Sequence, residues 1–126
     1  MPFARLTILP QQSAETTARL AGDLTDLIAR DLRKRHDLTS VLVESPPGLW
    51  TIASVARSTA VNLEVTVTAG TNTDGDKRAF LAAATALLRR HLPDLHPASY
   101  CTVREIAGSD WGYDGLSQAD RAAAAR

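Results

Sequence analysis

The order strand, helix, strand, glycine-containing turn and tryptophan occurs twice in this chain of 126 residues. In the first half, FARLTIL (3–9) is followed by leucines at helical spacing and then by TSVLVE (39–44). In the second half, NLEVTVT (62–68), a helical segment over 76–91 and YCTVRE (100–105) follow in the same order. The distance from the first strand of each half to its tryptophan is about 48 residues, which indicates a duplicated supersecondary unit.

The order of elements in each half therefore predicts a β-α-β unit whose two strands are parallel. Two such units give an α+β fold, a tandem β-α-β repeat with a four-stranded mixed sheet and both helices on one face. We expect a single domain over residues 1–118, with repeat one at about 2–58, repeat two at about 62–116 and an Ala-rich tail over 119–126.

Helix-start signals support both predicted helices. Ser13 is the expected N-cap of the first helix, with Glu15 in its first turn, and Thr73 or Asp74 is the expected N-cap of the second. The basic run over 33–36 follows the first helix, and we interpret it as a complement to the helix dipole rather than as a binding patch.

The sheet face away from the helices is predicted to carry Thr66, Thr68 and Val65 or their alternates. We expect this face to be too apolar in places to remain in water. Association with copies of the same chain in a closed symmetric ring is the expected solution.

Composition narrows the possible partners and compartments. The 14 basic and 14 acidic residues give a formal net charge of zero, which favours neither nucleic acid nor an anionic membrane as a partner. One cysteine, Cys101, forms no internal disulfide and indicates a reducing compartment. The sequence shows neither a bilayer-spanning apolar run nor a secretory signal, so we expect a cytoplasmic protein.

The proline directly behind the initiator methionine has two interpretations. Pro2 is a residue that suits the first position of a strand. Alternatively, removal of Met1 makes Pro2 the start of the chain, with a free secondary amine. An α-amino group has a pKa near neutrality, and burial lowers it further, so such an amine is suited to general acid–base chemistry.

Several features together resemble the tautomerase superfamily, the group that includes 4-oxalocrotonate tautomerase, malonate semialdehyde decarboxylase, cis-3-chloroacrylic acid dehalogenase and macrophage migration inhibitory factor. They are Met1-Pro2 leading into a strand, LTSV (38–41), the duplicated β-α-β order and SDWGYDG (109–115). The resemblance covers nearly the whole chain apart from the Ala-rich tail. It implies a homotrimer with active sites at subunit interfaces, Pro2 as the catalytic acid/base, and no metal or cofactor.

The sequence departs from the family at the arginines that hold substrate carboxylates. The corresponding positions carry Gln12, Leu42 and the 69–72 loop, and the aspartate of the decarboxylase falls on Ser40. These replacements offer dipoles or apolar groups instead of a bidentate cation. Decarboxylase and dehalogenase activities are therefore not expected. We expect a tautomerase-like isomerase acting on a keto–enol acid, or, alternatively, a tautomerase-fold protein that lacks efficient catalysis and serves as a binding or assembly subunit.

Other side chains are candidates for refilling the site. Trp50 matches a pocket-lining aromatic position of the family, although core or trimer packing explains it equally well. Tyr100 and Arg104 on the last long strand are the other candidate substrate-binding residues, and Arg5 and Arg57 are further possibilities. We expect the segment around Trp111 and Tyr113 to pack against neighbouring subunits, and Cys101 to be a packing residue.

Overall fold

A computed structural model describes residues 1–56 and 58–126 of the chain. The long elements are β1 (Phe3–Leu9), α1 (Ala14–Asp31), β2 (Ser40–Glu44), β3 (Ala60–Thr68), α2 (Asp74–His91) and β4 (Tyr100–Ile106). A short 3-10 helix (His36–Leu38) precedes β2, and β5 (Gly112–Tyr113), β6 (Leu116–Ser117) and α3 (Gln118–Ala124) complete the chain. Within the described ranges, no helix has both the length and the apolarity needed to span a bilayer.

The four long strands form one mixed sheet in the order β2-β1-β3-β4. Each half contributes a parallel pair, β1 with β2 and β3 with β4, and the two halves meet through the antiparallel pair β1 and β3. Leu6 lies opposite Leu63 at the centre of that pair, so an approximate two-fold axis relates the halves. The predicted α+β fold class is thereby confirmed.

The core lies between the sheet and the two long helices. Alternate residues of β1 and β3 point at the helices and are at most 1% exposed, as a period of two requires: Ala4, Leu6, Ile8, Val61, Leu63, Val65 and Val67. The helices contribute the facing stripe: Leu20, Leu24, Ile28, Phe80, Ala84 and Leu88. Val65, expected on the outer face, is therefore a core residue.

The sheet face away from the helices, called here the open face, carries both polar and apolar side chains. Thr66 and Thr68 alternate with the core valines of β3 and so lie on this face. Two ion pairs also occupy it, Arg5 with Glu44 and Arg104 with Glu64. Large apolar or aromatic side chains are exposed on the same face, namely Phe3, Leu42 and Tyr100. The expectation that parts of this face are apolar therefore agrees with the structure.

Both predicted helix starts are confirmed. The Ser13 hydroxyl accepts a hydrogen bond from the Thr16 N–H at 3.1 Å. At α2, Thr73 and Asp76 form a reciprocal capping box, with both side-chain-to-backbone distances at 3.0 Å. These bonds satisfy backbone donors that have no partner inside a helix.

Each half ends in the same tight turn behind its tryptophan. Segments 52–55 and 113–116 are two-residue hairpin turns whose central residues both have positive φ. Turns of this kind match the natural twist of paired strands. At the second turn, a Cβ on Gly112 would lie 1.9 Å from the Leu116 carbonyl oxygen, so only glycine fits there.

Replacing Phe80 by alanine tests the helix–sheet core. Phe80 is fully buried, so we expect Phe80→Ala to lower the free energy of unfolding by about 3–5 kcal/mol. Urea denaturation followed by circular dichroism measures the loss. Leu81→Ala is the matched control, because Leu81 is 37% exposed on the same helix. Equal losses for the two variants would contradict this packing.

Candidate functional site

The start of the chain is attached to the sheet rather than free. Pro2 is buried at the entrance of β1, and its carbonyl accepts a hydrogen bond from the Ser40 N–H at 3.2 Å. The same bond continues the parallel pairing of β1 with β2, in which Phe3 lies opposite Ser40. The chain start is therefore held at one fixed point, where the sheet meets the end of α1.

The second repeat has an equivalent point with different chemistry. There the Thr59 carbonyl accepts a hydrogen bond from the His96 N–H at 2.8 Å, so Thr59 takes the place of Pro2. The Thr59 hydroxyl donates to Asp94 Oδ2 at 2.7 Å. Because Thr59 lies inside the chain, its nitrogen is a peptide amide, whereas Pro2 is separated from the chain start by Met1 alone.

The end of α1 turns the following residues back toward the chain start. The Leu32 N–H donates to the Ile28 carbonyl and the Lys34 N–H to the Ala29 carbonyl, both at 3.0 Å. Between them Arg33 has a φ of 54°, a left-handed conformation that costs about 1–2 kcal/mol for a residue other than glycine. This C-terminal turn directs Lys34 and the next residue out of the helical path.

Electrostatics at the chain start favour a neutral amine. Burial is the main cause that lowers the pKa of the Met1 α-amino group, and the positive charges of Lys34 and Arg35 lower it further. Removing water and adding like charges both disfavour the protonated form. The Met1 amine at this end of β1 therefore loses its proton more easily than an ordinary α-amino group.

Lys34 is held by the loop after β3. Its Nζ donates to Thr71 Oγ1 at 2.7 Å. Burial and the neighbouring Arg33 lower the pKa of Lys34, whereas Asp76 and Glu105 oppose that shift. The ammonium group therefore has a fixed position and remains within reach of the chain start.

Asp76 joins the end of α1 to the start of α2. It is ion-paired with Arg33, and Asn72 connects the same corner by donating to the Leu32 carbonyl at 2.9 Å. The Thr73 N–H and then the Arg33 guanidinium are the largest causes that lower the pKa of Asp76 to about 2. This corner fixes the turn that positions Lys34.

The other expected site residues are not gathered at Pro2 within one chain. Trp50 lines a cleft with Leu9, about seven strand residues or 23 Å along β1 from Pro2. Tyr100 is 72% exposed and aligned with Asn62 of β3, whose partner on β1 is Thr7. Trp50 and Tyr100 thus lie toward the opposite end of the sheet from Pro2.

The candidate arginines have other partners or other positions. Arg104 is on the open face with Glu64, at 3.5 Å, and Arg5 is on the same face with Glu44. Arg57 lies outside the described residues. Neither described arginine is directed at the helix side of the sheet, where Pro2 enters β1.

Aromatic side chains near the hairpin lie at the same end of the sheet as Pro2. Trp111 Nε1 donates to Thr68 Oγ1 at 3.1 Å, and Thr68 is the last residue of β3. The Arg121 guanidinium lies 3.6 Å from the centre of the Tyr113 ring and donates to the Tyr113 carbonyl. The C-terminal helix α3 therefore braces this hairpin.

Gln12 and Leu42, which occupy positions where the resemblance implies arginines, have only local surroundings in this chain. Gln12 donates to the Pro10 carbonyl at 2.8 Å, and Leu42 is exposed on the open face.

Cys101 is not an activated thiol. Burial raises its pKa to about 12, so the thiol is protonated at neutral pH and is a poor nucleophile.

Lys34 and Arg35 are not identified from the sequence as cations beside the chain start, because the run over 33–36 is interpreted there only as a complement to the dipole of the first helix. The signal that could have found them is the position of the run. It follows Leu32, the last residue of the apolar stripe, so its residues lie beyond the helix, next to the strand that pairs with β1.

No protein-family model matches the sequence, and no curated protein matches it. Solved structures do. A structure described as Pt0534 inactivated by 2-oxo-3-pentynoate has a TM-score of 0.86 at 15% identity, over 94% of this chain and 98% of that one. An F6 fused 4-OT asymmetric trimer gives 0.81 at 15% identity, with the same coverage of both chains. Macrophage migration inhibitory factor from Toxoplasma gondii gives 0.77 at 16% identity, over 91% of this chain and 98% of that one.

Asp76→Asn tests the corner that positions Lys34. Because the pKa of Asp76 lies below that of an unfolded aspartate, its charge stabilises the fold above about pH 4, and this contribution is lost as pH falls through about 2. We expect the variant to be less stable than the parent chain at pH 6 and equally stable near pH 2, by urea denaturation. Asp74→Asn in the same helical turn is the control. A pH-independent difference for Asp76→Asn would contradict the assignment.

Proposed function

We propose that this chain, which has the tautomerase fold, is a cofactor-independent tautomerase-like isomerase that moves a proton on a keto–enol acid. Pro2, exposed by removal of Met1, is the general acid/base. The observation that carries the proposal is the position of Pro2, which is buried at the start of β1. At this end of the strand, burial and then the charges of Lys34 and Arg35 lower the pKa of the Met1 amine, and removal of Met1 would place the Pro2 amine next to the same cations.

The chemistry requires one group that accepts and returns a proton. The neutral proline nitrogen takes the proton from the enol hydroxyl, and the electrons of that O–H bond remain on the substrate as an enolate. The protonated nitrogen then delivers the same proton to the substrate carbon, which completes the keto form. A pKa near the working pH makes both steps accessible to the same atom.

We assign the substrate carboxylate to Lys34. Arg35 adds positive charge nearby, but its guanidinium is ion-paired with Asp37 at 2.6 Å. Lys34 is fixed by Thr71 and influences the terminal amine, whereas Arg104 is ion-paired with Glu64 on the open face. A single carboxylate position suits a monocarboxylic acid, because a second buried carboxylate without a partner would be very unfavourable. Phenylpyruvate is therefore a better candidate than 2-hydroxymuconate.

The proposal includes a homotrimer in which neighbouring copies complete the site. Trp50 and the exposed Tyr100 lie too far along the sheet to reach Pro2 of their own chain. In a ring, these aromatic side chains of one copy are available to the chain start of another. The fused 4-OT structures, which share this fold and are described as trimers, support the trimeric state.

The alternative is a tautomerase-fold binding or assembly subunit without efficient catalysis. Gln12 and Leu42 at the family's arginine positions favour it. The two functions differ in one measurable property, since the subunit would form the ring and bind an acid without turning it over.

Pro2→Ala tests the proton carrier. After removal of Met1 this variant has a primary amine in place of the ring amine, in a less constrained position. We expect kcat for phenylpyruvate enol–keto conversion, followed by ultraviolet absorbance, to fall by about 10²–10⁴-fold with the fold intact. Pro93→Ala, an exposed proline behind α2, is the matched control.

Covalent labelling gives the same test without a substrate. 2-Oxo-3-pentynoate carries an electron-poor alkyne, to which an amine adds with no leaving group. Mass spectrometry should find one adduct per chain, on the Pro2 nitrogen, because Thr59 in the second repeat offers only an amide. Wild-type turnover in Pro2→Ala would show that the mechanism is wrong, and ring formation without turnover by the processed chain would favour the alternative.

Lys34→Gln tests the carboxylate position. We expect KM for phenylpyruvate to rise about tenfold or more, because the carboxylate is held in both the ground and transition states. Lys34 also lowers the amine pKa, so the acidic limb of the kcat/KM profile should move to higher pH. Lys34→Arg should recover much of the affinity, and Arg19→Gln on α1 is the control. A clear preference for 2-hydroxymuconate would contradict the single-carboxylate assignment.

A further inference from the structure

Four charged side chains cross the open face in alternating sign, one from each strand of the sheet. In the order β2-β1-β3-β4 this charge ladder consists of Glu44, Arg5, Glu64 and Arg104. Arg5 is ion-paired with Glu44 and lies opposite Glu64 in the strand register. Arg104 Nη1 lies 3.5 Å from Glu64 Oε1. The ladder is thus continuous across the whole width of the sheet.

The two ends of the charge ladder carry opposite charges. The β2 edge of the sheet ends in Glu44, and the β4 edge ends in Arg104, which is 62% exposed. Neither end has a further strand of the same sheet beside it. The Glu44 carboxylate, whose side chain is 25% exposed and is paired with Arg5, thus lies at one edge, and the more exposed Arg104 guanidinium lies at the other.

The charge ladder runs obliquely to the strands. Measured on β1, Glu44 is level with Thr7, whereas Arg104 is level with Thr66, the partner of Phe3. Four strand residues correspond to about 13 Å, and three strand spacings to about 14 Å, which gives a slope of about 40°. Strands in closed barrels tilt by about 35–45° from the barrel axis.

This slope decides the direction in which the charge ladder extends. Strands in a closed barrel tilt away from the barrel axis in one fixed hand. The right-handed β-α-β crossovers place β2 and β4 on the sides of the sheet for which the slope of the charge ladder offsets that tilt. In a ring whose open faces point inward, the ladder then follows the circumference instead of climbing along the axis. A second copy placed at the same height brings its Arg104 toward the Glu44 end of the first.

We propose that the β4 edge of one copy docks at the β2 edge of the next, with Arg104 of one chain closing on Glu44 of its neighbour. The partner is a second copy of this chain, and the complementary charges select head-to-tail contact, which is the kind of contact that closes into rings. The inference rests on the ring assembly of the proposed function but not on its proton chemistry.

A double-mutant cycle tests the contact. Arg104→Glu and Glu44→Arg each place like charges at the junction, and we expect each to raise the subunit dissociation constant about tenfold or more. The double variant restores opposite charges across the junction, so its dissociation constant should return to within about threefold of the parent value. Sedimentation equilibrium gives these constants, and Arg19→Glu combined with Glu15→Arg on the outer face of α1 is the matched control.

The cycle separates contacts between chains from contacts within one. Residues 44 and 104 are three strands apart in their own chain. If the two charge reversals acted only on their neighbours Arg5 and Glu64 within one chain, their effects on the dissociation constant would simply add. Additive losses in a ring that still forms would overturn the charge-ladder contact and leave the proposed assembly standing. A parent chain that stays monomeric would overturn both.

A milder pair covers the case in which the charge reversals prevent folding. Arg104→Gln and Glu44→Gln should each weaken the ring and reduce the dependence of its dissociation on sodium chloride, because one charge of the junction is gone. Unchanged salt dependence in both variants would overturn the inference. Circular dichroism of each variant confirms that the fold is retained before assembly is measured.

Discussion

The antiparallel pairing of β1 with β3 is the constraint on which the rest of this structure depends. It places Leu6 opposite Leu63 and fixes the register of the whole sheet, because β2 and β4 pair only with these two central strands. A shift by one residue would exchange the core residues of β1 with Arg5 and its neighbours on the open face. The core and the charged face are therefore specified by the same register.

The site at the chain start depends on a second, local element, the turn after α1. Arg33 adopts a left-handed conformation that glycine would adopt more easily, and its side chain is ion-paired with Asp76. The backbone strain and the ion pair act at the same residue, so the pair holds the turn that the backbone disfavours. Lys34 follows directly and reaches Thr71, so loop and helix end together set the position of one cation.

The periodic parts of the chain could be predicted from sequence, since burial on one side of a strand or helix leaves a pattern in the residues. The strands, both N-caps and the parallel pairs follow from that pattern, as do the confirmed fold class and the helix layer. The expected outer position of Val65 is wrong, because a period of two separates it from Thr66 and Thr68 and directs it toward the helices. The location of Lys34 and Arg35 beside the chain start is only partly predictable. The run lies beyond the apolar stripe of α1, but its direction is set by a turn and by neighbours that are distant in sequence.

Linking two β-α-β units into one polypeptide removes one amino terminus and one carboxyl terminus from each pair of units. At the position of Thr59, the nitrogen has become part of the connecting peptide, and the hydroxyl–carboxylate contact with Asp94 has taken over the space beside it. Under the proposed function only the first unit has to supply a basic nitrogen, so the residues at that end of the second unit are free to change in ways that those of the first unit are not. A duplicated fold of this kind has two halves of equal architecture and unequal freedom to diverge.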